Sequence, residues 1–127
     1  MKRSLTIQQE IGDKLGEGAT LNNISLIYSA REDYDMALDC LKKSLAIQQE
    51  IGDIAGLCST MFNIGHIYWQ NEDQSNAILS WVLVYRIVKK INLAEGLQNL
   101  ESLASDIGLS GGLDGWEQLS QQMGEGE

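Results

Sequence analysis

Proline is absent from this chain, and phenylalanine and histidine occur once each. Without proline, any helix ends in it must be set by glycine, asparagine or side-chain caps. Aromatic residues are few (6%), and the short β-branched and aromatic runs of an all-β protein are missing. No apolar stretch nears the roughly 20 residues that a membrane span needs. The opening Met1-Lys2-Arg3-Ser4 is basic but leads into Gln8-Gln9-Glu10, which is no secretory signal. Basic residues are scarce as well, 9 against 18 acidic for a net charge of −9. A phosphate-binding face needs clustered Lys and Arg, so nucleic acid is excluded as the expected partner. A basic or neutral partner is weakly favoured, but solubility alone is the readier account of such a charge. The two cysteines, Cys40 and Cys58, fall on different expected helices with no metal-ligand spacing. Buried free thiols in a reducing cytoplasm are the expectation.

What the chain does have is a repeat. Ser4-Leu5-Thr6-Ile7-Gln8-Gln9-Glu10-Ile11-Gly12-Asp13 returns as Ser44-Leu45-Ala46-Ile47-Gln48-Gln49-Glu50-Ile51-Gly52-Asp53, an offset of 40 with one change, Thr6 to Ala46. The match runs on: Leu21-Asn22-Asn23-Ile24-Ser25-Leu26-Ile27-Tyr28 faces Met61-Phe62-Asn63-Ile64-Gly65-His66-Ile67-Tyr68. A fixed period in this range signals stacked units that close a core only together. Each unit reads as two helices. Leu21, Ile24, Ile27 and Tyr28 make one helical stripe. Arg31-Glu32-Asp33 is a polar break with Asp33 as N-cap. Tyr34, Ala37, Leu38, Leu41, Leu45 and Ile51 then make a second stripe, and Gly52 sits where a left-handed C-cap belongs. In the next unit Asn71-Glu72-Asp73 is the turn, and Trp81, Val84, Tyr85 and Val88 carry the buried stripe.

Seven helices are expected: one at about 4–12, then pairs at 16–30 with 34–52, 56–70 with 74–91, and 94–108 with 113–123. The organisation is an orphan second helix (1–15), unit 1 (16–55), unit 2 (56–93), a degenerate unit 3 or C-terminal cap (94–123) and a disordered tail (124–127). The orphan either caps the array or marks a cut in a longer protein. Its being a near-perfect half-repeat favours the cut.

These residues resemble the tetratricopeptide repeat family. Leu21, Ile24-Ser25, Tyr28, Ala37 and Leu41 match its pattern in unit 1. Met61, Ile64-Gly65, Tyr68, Ala77 and Trp81 match it in unit 2, and Leu100, Leu103-Ala104 and Ile107 match it in unit 3 without the tyrosine. The resemblance covers roughly residues 4–108. The period of 40 and the pair Asn22-Asn23 look like the longer-period subclass seen in kinesin light chains and bacterial repeat proteins. The helix-ending proline of the family is replaced by Gly52 and Asp53. The resemblance implies an all-α, right-handed superhelical solenoid of antiparallel helical hairpins. It also implies a scaffold or adaptor module that binds a protein or peptide in a concave groove lined by the first helices. Mapped onto this chain, that groove takes Asn22, Asn23 and Leu26 from unit 1, Phe62, Asn63, His66 and Trp69 from unit 2, and Glu101 from unit 3. Ala19 and Ser59 face the same way.

Enzymatic chemistry has little support. His66 has no nucleophile elbow or carboxylate partner at helical spacing, and with Cys40 and Cys58 it makes no metal set. Gly111-Gly112 lacks the Lys-Ser/Thr of a phosphate loop. No catalytic residue, cofactor or metal is assigned, and no membrane is expected as a partner. For Asn23 and Asn63 two readings stand side by side: amides that hold a peptide backbone, or amides that bond to helix backbone or the neighbouring repeat. For Phe62 and Trp69 the choice is groove anchor or packing against the next unit. Lys42-Lys43 and Lys89-Lys90 read as a solvated convex face. The functional alternatives are self-assembly into a dimer or filament through the 4–12 helix, and a regulatory arm of a multidomain signalling enzyme.

Overall fold

The short-range patterns above build helices in the computed structural model, which describes the backbone of residues 2–123 and the side chains of residues 12–123. Six helices follow one another: α1 (Lys2–Ala30), α2 (Tyr34–Ile51), α3 (Ile54–Gln70), α4 (Gln74–Ile91), α5 (Ala94–Ile107) and α6 (Leu113–Gln122). No strand occurs among the described residues. Each helix packs mainly on its neighbours along the chain, and α4 also meets α6. This is the order of a stacked array of helical hairpins. The tail expected at 124–127 lies outside the described residues.

The turns are made twice from the same chemistry. Within the first two hairpins a glutamate takes the left-handed conformation, Glu32 at φ 62° and Glu72 at φ 61°. The next residue caps the coming helix, Asp33 accepting from the Met36 N–H and Asp73 from the Asn76 N–H. Between hairpins the left-handed residue is Gly52 or Asn92, and Gly108 takes the same conformation where α5 ends inside the last hairpin. The following N–H then reaches back five residues: Asp53 to the Gln48 carbonyl at 2.9 Å, Leu93 to Val88 at 2.9 Å, Leu109 to Ala104 at 2.8 Å. That closure satisfies carbonyls which the helix end leaves free.

One expected stop is not used. Gly12-Asp13 repeats Gly52-Asp53, yet α1 runs through it, so the helices expected at 4–12 and 16–30 are one. The difference lies in what surrounds the two copies. At Gly52 the turn is held from both sides: Asp53 caps the Gly56 N–H at 3.0 Å, and Gln48 accepts from Thr60 on α3 at 2.7 Å. An uninterrupted helix keeps its own hydrogen bonds when no such contact is made.

Two apolar clusters form the core. Ala37, Leu41, Ile64 and Ile67 are buried together, with Tyr28 packed against them. A larger one gathers Trp81, Val84, Tyr85, Val88, Leu100, Leu103 and Trp116, and Tyr68 touches both. Trp81, fully buried, lies at the centre, with the rings of His66, Trp69 and Trp116 at 5.2, 5.7 and 6.2 Å. The indole N–H donates to the Phe62 carbonyl at 3.1 Å. Trp116 repeats the device, donating to the Leu100 carbonyl at 2.7 Å. A Cβ on Gly65 would stand 2.2 Å from Trp81 Nε1, so the indole occupies the place of the missing side chain. Unit 1 fills the corresponding space with Ser25 and Leu41, both fully buried. Ile27, expected on the buried stripe of α1, is 54% exposed, whereas its counterpart Ile67 is 3% exposed against α2. Lys89, expected as a solvated charge, reaches Glu117 on α6 and lies 5.7 Å from the Tyr85 ring centre.

The exchange of volume between Gly65 and Trp81 can be measured. Gly65→Ser alone should destabilise by about 1–3 kcal/mol through overpacking, and Trp81→Leu by about 2–5 kcal/mol through the cavity it leaves. The double variant restores the unit 1 pair and should lose less than the sum in a denaturant titration. Strict additivity would show that the two positions do not share one space.

Candidate functional site

The first helices of the hairpins, α1, α3 and α5, stand apart and leave two hollows between them. One, of about 400 Å³, lies between α1 and α3 and is lined by Leu15, Ala19, Asn22, Asn23, Gln48, Asp53, Gly56 and Ser59. The other, of about 350 Å³, lies between α3 and α5. Its walls are Ala55, Gly56, Ser59 and Phe62 on one side and Glu95, Gly96 and Asn99 on the other, over Cys58, Val84 and Leu93. Gly56 and Ser59 line both hollows, so the first turns of α3 form a low rib between two parts of one furrow. Gly56 keeps the rib low for a local reason. A Cβ there would meet Asp53 Oδ2 at 2.1 Å and Gln48 Nε2 at 2.9 Å.

Beneath the α1 side lies a polar knot. Asn22 Nδ2 sits 2.8 Å from Ser44 Oγ, 3.1 Å from Thr60 Oγ1 and 3.1 Å from the Gly18 carbonyl. Its Oδ1 accepts from Asn63 Nδ2 at 3.1 Å. Ser44 donates to the Gly18 carbonyl at 3.0 Å, and Thr60 to Gln48 Oε1 at 2.7 Å. Ser44, Gln48 and Thr60 are buried. Three helices are thereby joined through side chains whose polar atoms satisfy one another, which a buried polar group requires.

The structure sorts the residues singled out from the sequence into three kinds. Asn23 is exposed in the α1–α3 hollow, and Phe62 lines the α3–α5 hollow. Asn22 and Asn63 are half-buried and bonded to each other across the repeat boundary, with Asn22 also lining the hollow. Leu26, His66, Trp69 and Glu101 line neither. Leu26 is 56% exposed and Glu101 is exposed on α5, while His66 and Trp69 lean on Trp81. The sequence reading missed Gln48, Glu95 and Asn99 as lining residues, and the role of Ser44 and Thr60. A signal for part of this was present. Ala37, Leu41, Ser44 and Gln48 share one helical stripe, so the last two are polar residues on a buried face.

Neither hollow is lined by Lys or Arg, and two carboxylates, Asp53 and Glu95, stand in their walls. Burial pushes the Cys58 thiol above its ordinary value, which keeps it protonated and unreactive. Burial also pushes the His66 imidazole below its ordinary value, and Asp106 opposes that shift. Among the described residues no group of three or more His, Cys, Asp and Glu is placed to hold a metal ion. No described helix is long and apolar enough to cross a membrane.

Family models agree with this geometry. Two of them, each describing the tetratricopeptide repeat, match residues 1–50 and 59–80. The chain belongs to the tetratricopeptide repeat family. The second match runs from within α3 to the first turns of α4 across the Asn71-Glu72-Asp73 turn, and the first takes in most of α1 and α2. No curated protein and no solved structure matches the chain. Tetratricopeptide repeats are non-catalytic modules that mediate protein–protein interaction.

Two side chains give this repeat protein an acid limb. The fold holds His66 below its ordinary 6.5, so the unfolded chain takes up that proton first and stability falls as pH drops through 6.5. Hydrogen bonds from Lys89 and Tyr85 hold Glu117 below its ordinary 4.5, so a second loss begins as pH drops through 4.5. Tm measured against pH should show both. His66→Leu, the residue unit 1 carries at that place, should flatten the upper limb, and Glu117→Gln the lower one.

Proposed function

We propose that the furrow along α1, α3 and α5 binds an extended peptide segment of a partner protein, neutral or basic in charge. The observation that carries this reading is the continuity of the two hollows across the rib at Gly56 and Ser59. An extended chain can lie over that rib without a break. Asn23 offers both an amide donor and an acceptor to a passing backbone. Phe62 gives an aromatic wall for one apolar side chain, of the kind that dominates interface energetics. Glu95 and Asn99 on the far wall favour a donor or a positive charge. The C-terminal carboxylate of a peptide finds no Lys or Arg in the lining. In this reading Asn22 and Asn63 shape the floor and touch the ligand little, since their amides are already engaged.

Peptides selected from a random library displayed on phage provide the test. For the tightest of them, Asn23→Ala and Phe62→Ala should each weaken binding by about tenfold, near 1.4 kcal/mol. Glu95→Gln should weaken the basic peptides and leave the neutral ones unchanged. Leu83→Ala, on the outer side of α4, serves as the comparison. Affinities that ignore all three furrow variants would overturn the assignment.

A further inference from the structure

The duplicated segment occurs in two settings. In the second copy, α2 ends at Gly52, turns, and lays residues 44–51 against the first half of α3. Ser44 and Gln48 then cover Thr60, which is fully buried. In the first copy the same sequence, residues 4–13, is part of the unbroken α1. Thr20, the counterpart of Thr60, is exposed, as is Glu17, the counterpart of the buried Leu57. The face of α1 that starts at Gly16 is therefore bare where the matching face of α3 is covered. What covers it on α3 is a helix of sequence Ser-Leu-Ala-Ile-Gln-Gln-Glu-Ile, and residues 4–11 reproduce that helix with one change.

The glycines show which chain supplies the cover. Gly56 suits the bent form, because a Cβ there would stand 2.1 Å from the capping Asp53 carboxylate and 2.9 Å from the Gln48 amide, and those side-chain ends would have to shift. Gly52 is favoured by its φ of 72°. Their counterparts Gly12 and Gly16 sit inside the straight α1, and an added Cβ at either would meet nothing within 4 Å beyond the helix's own backbone. Glycine is the poorest helix former after proline, and the straight helix has no use for it at either place. Asp13, like Asp53, stands three residues before the second glycine, at the spacing of an N-cap. A second copy docking its own straight arm on this face would leave Gly12, Asp13 and Gly16 equally without a role.

We propose that α1 exists in two forms, and that residues 4–11 of the same chain fold back at Gly12-Asp13 to cover the bare face around Thr20. In the folded-back form Gly12 takes the left-handed conformation, Asp13 caps the Gly16 N–H, and position 8 lies beside position 20 as 48 lies beside 60. The proposal concerns this face alone and is independent of what the furrow binds.

Cross-linking of the full chain separates the forms. Positions 8 and 20 are about 18 Å apart along a straight helix, beyond the roughly 7 Å between Cα atoms that a disulfide can span. Gln8→Cys with Thr20→Cys, oxidised at low protein concentration, should give a cross-linked monomer, read by mass spectrometry of the unreduced digest. Adding Gly12→Ala and Gly16→Ala raises helix propensity without touching the packed core, and should slow that cross-link at least tenfold. Circular dichroism of each variant confirms that the helical content is retained. A cross-link found only between two chains would overturn the proposal in favour of an exchanged arm. Failure to form the link, or a rate indifferent to the alanines, would overturn it in favour of a permanently straight α1.

Discussion

The close approach of α3 and α4 at Gly65 and Trp81 is the contact on which most of the array depends. Trp81 can be fully buried because Gly65 has no side chain, and once there its ring organises everything around it. His66 and Trp69 on α3 pack on it from one side and Trp116 on α6 from another. Its N–H is satisfied by the Phe62 carbonyl, so burial leaves no polar group unpaired. Phe62 is also a wall of the furrow. The position of that wall relative to the α5 side thus follows from one indole lying against one glycine.

The boundary between the first two units is held differently. There the contacts that cross from α1 and α2 to α3 include amides and hydroxyls: Asn22, Ser44, Gln48, Thr60 and Asn63. Such networks fix register strongly because each member has a definite partner. They also explain why the floor of the α1–α3 hollow is polar while that of the α3–α5 hollow is Cys58, Val84 and Leu93. A ligand lying along the furrow would meet one environment and then the other.

Much of the architecture was legible from the repeat itself. The offset of 40 located both hairpin turns and the left-handed role of Gly52, and the family pattern picked out the small residues Ser25 and Gly65, the second of which makes room for the Trp81 ring. Local chemistry determines those features, so a single chain displays them. The continuous α1 was not legible, because the same ten residues are compatible with a straight helix and with a stop, and the decision belongs to neighbouring surface. The site was only partly legible for a similar reason. The family mapping led to Asn23 and Phe62, which line the two hollows. It could not reveal that Asn22 and Asn63 would bond to each other across the boundary, or that His66 and Trp69 would be drawn onto Trp81. In the third unit the mapping reached Glu101, which is exposed outside both hollows, and passed over Glu95 and Asn99.

The contrast between the two boundaries carries over to temperature. Exposing apolar surface raises heat capacity on unfolding, and exposing polar surface lowers it. The aromatic block around Trp81 and Trp116 therefore holds less strongly as the protein is cooled, as any apolar contact does. The amide and hydroxyl knot around Asn22 does not share that weakness. Two neighbouring joints of one short array thus have stability curves of different shape, and the joint that opens first on warming need not be the one that opens first in the cold.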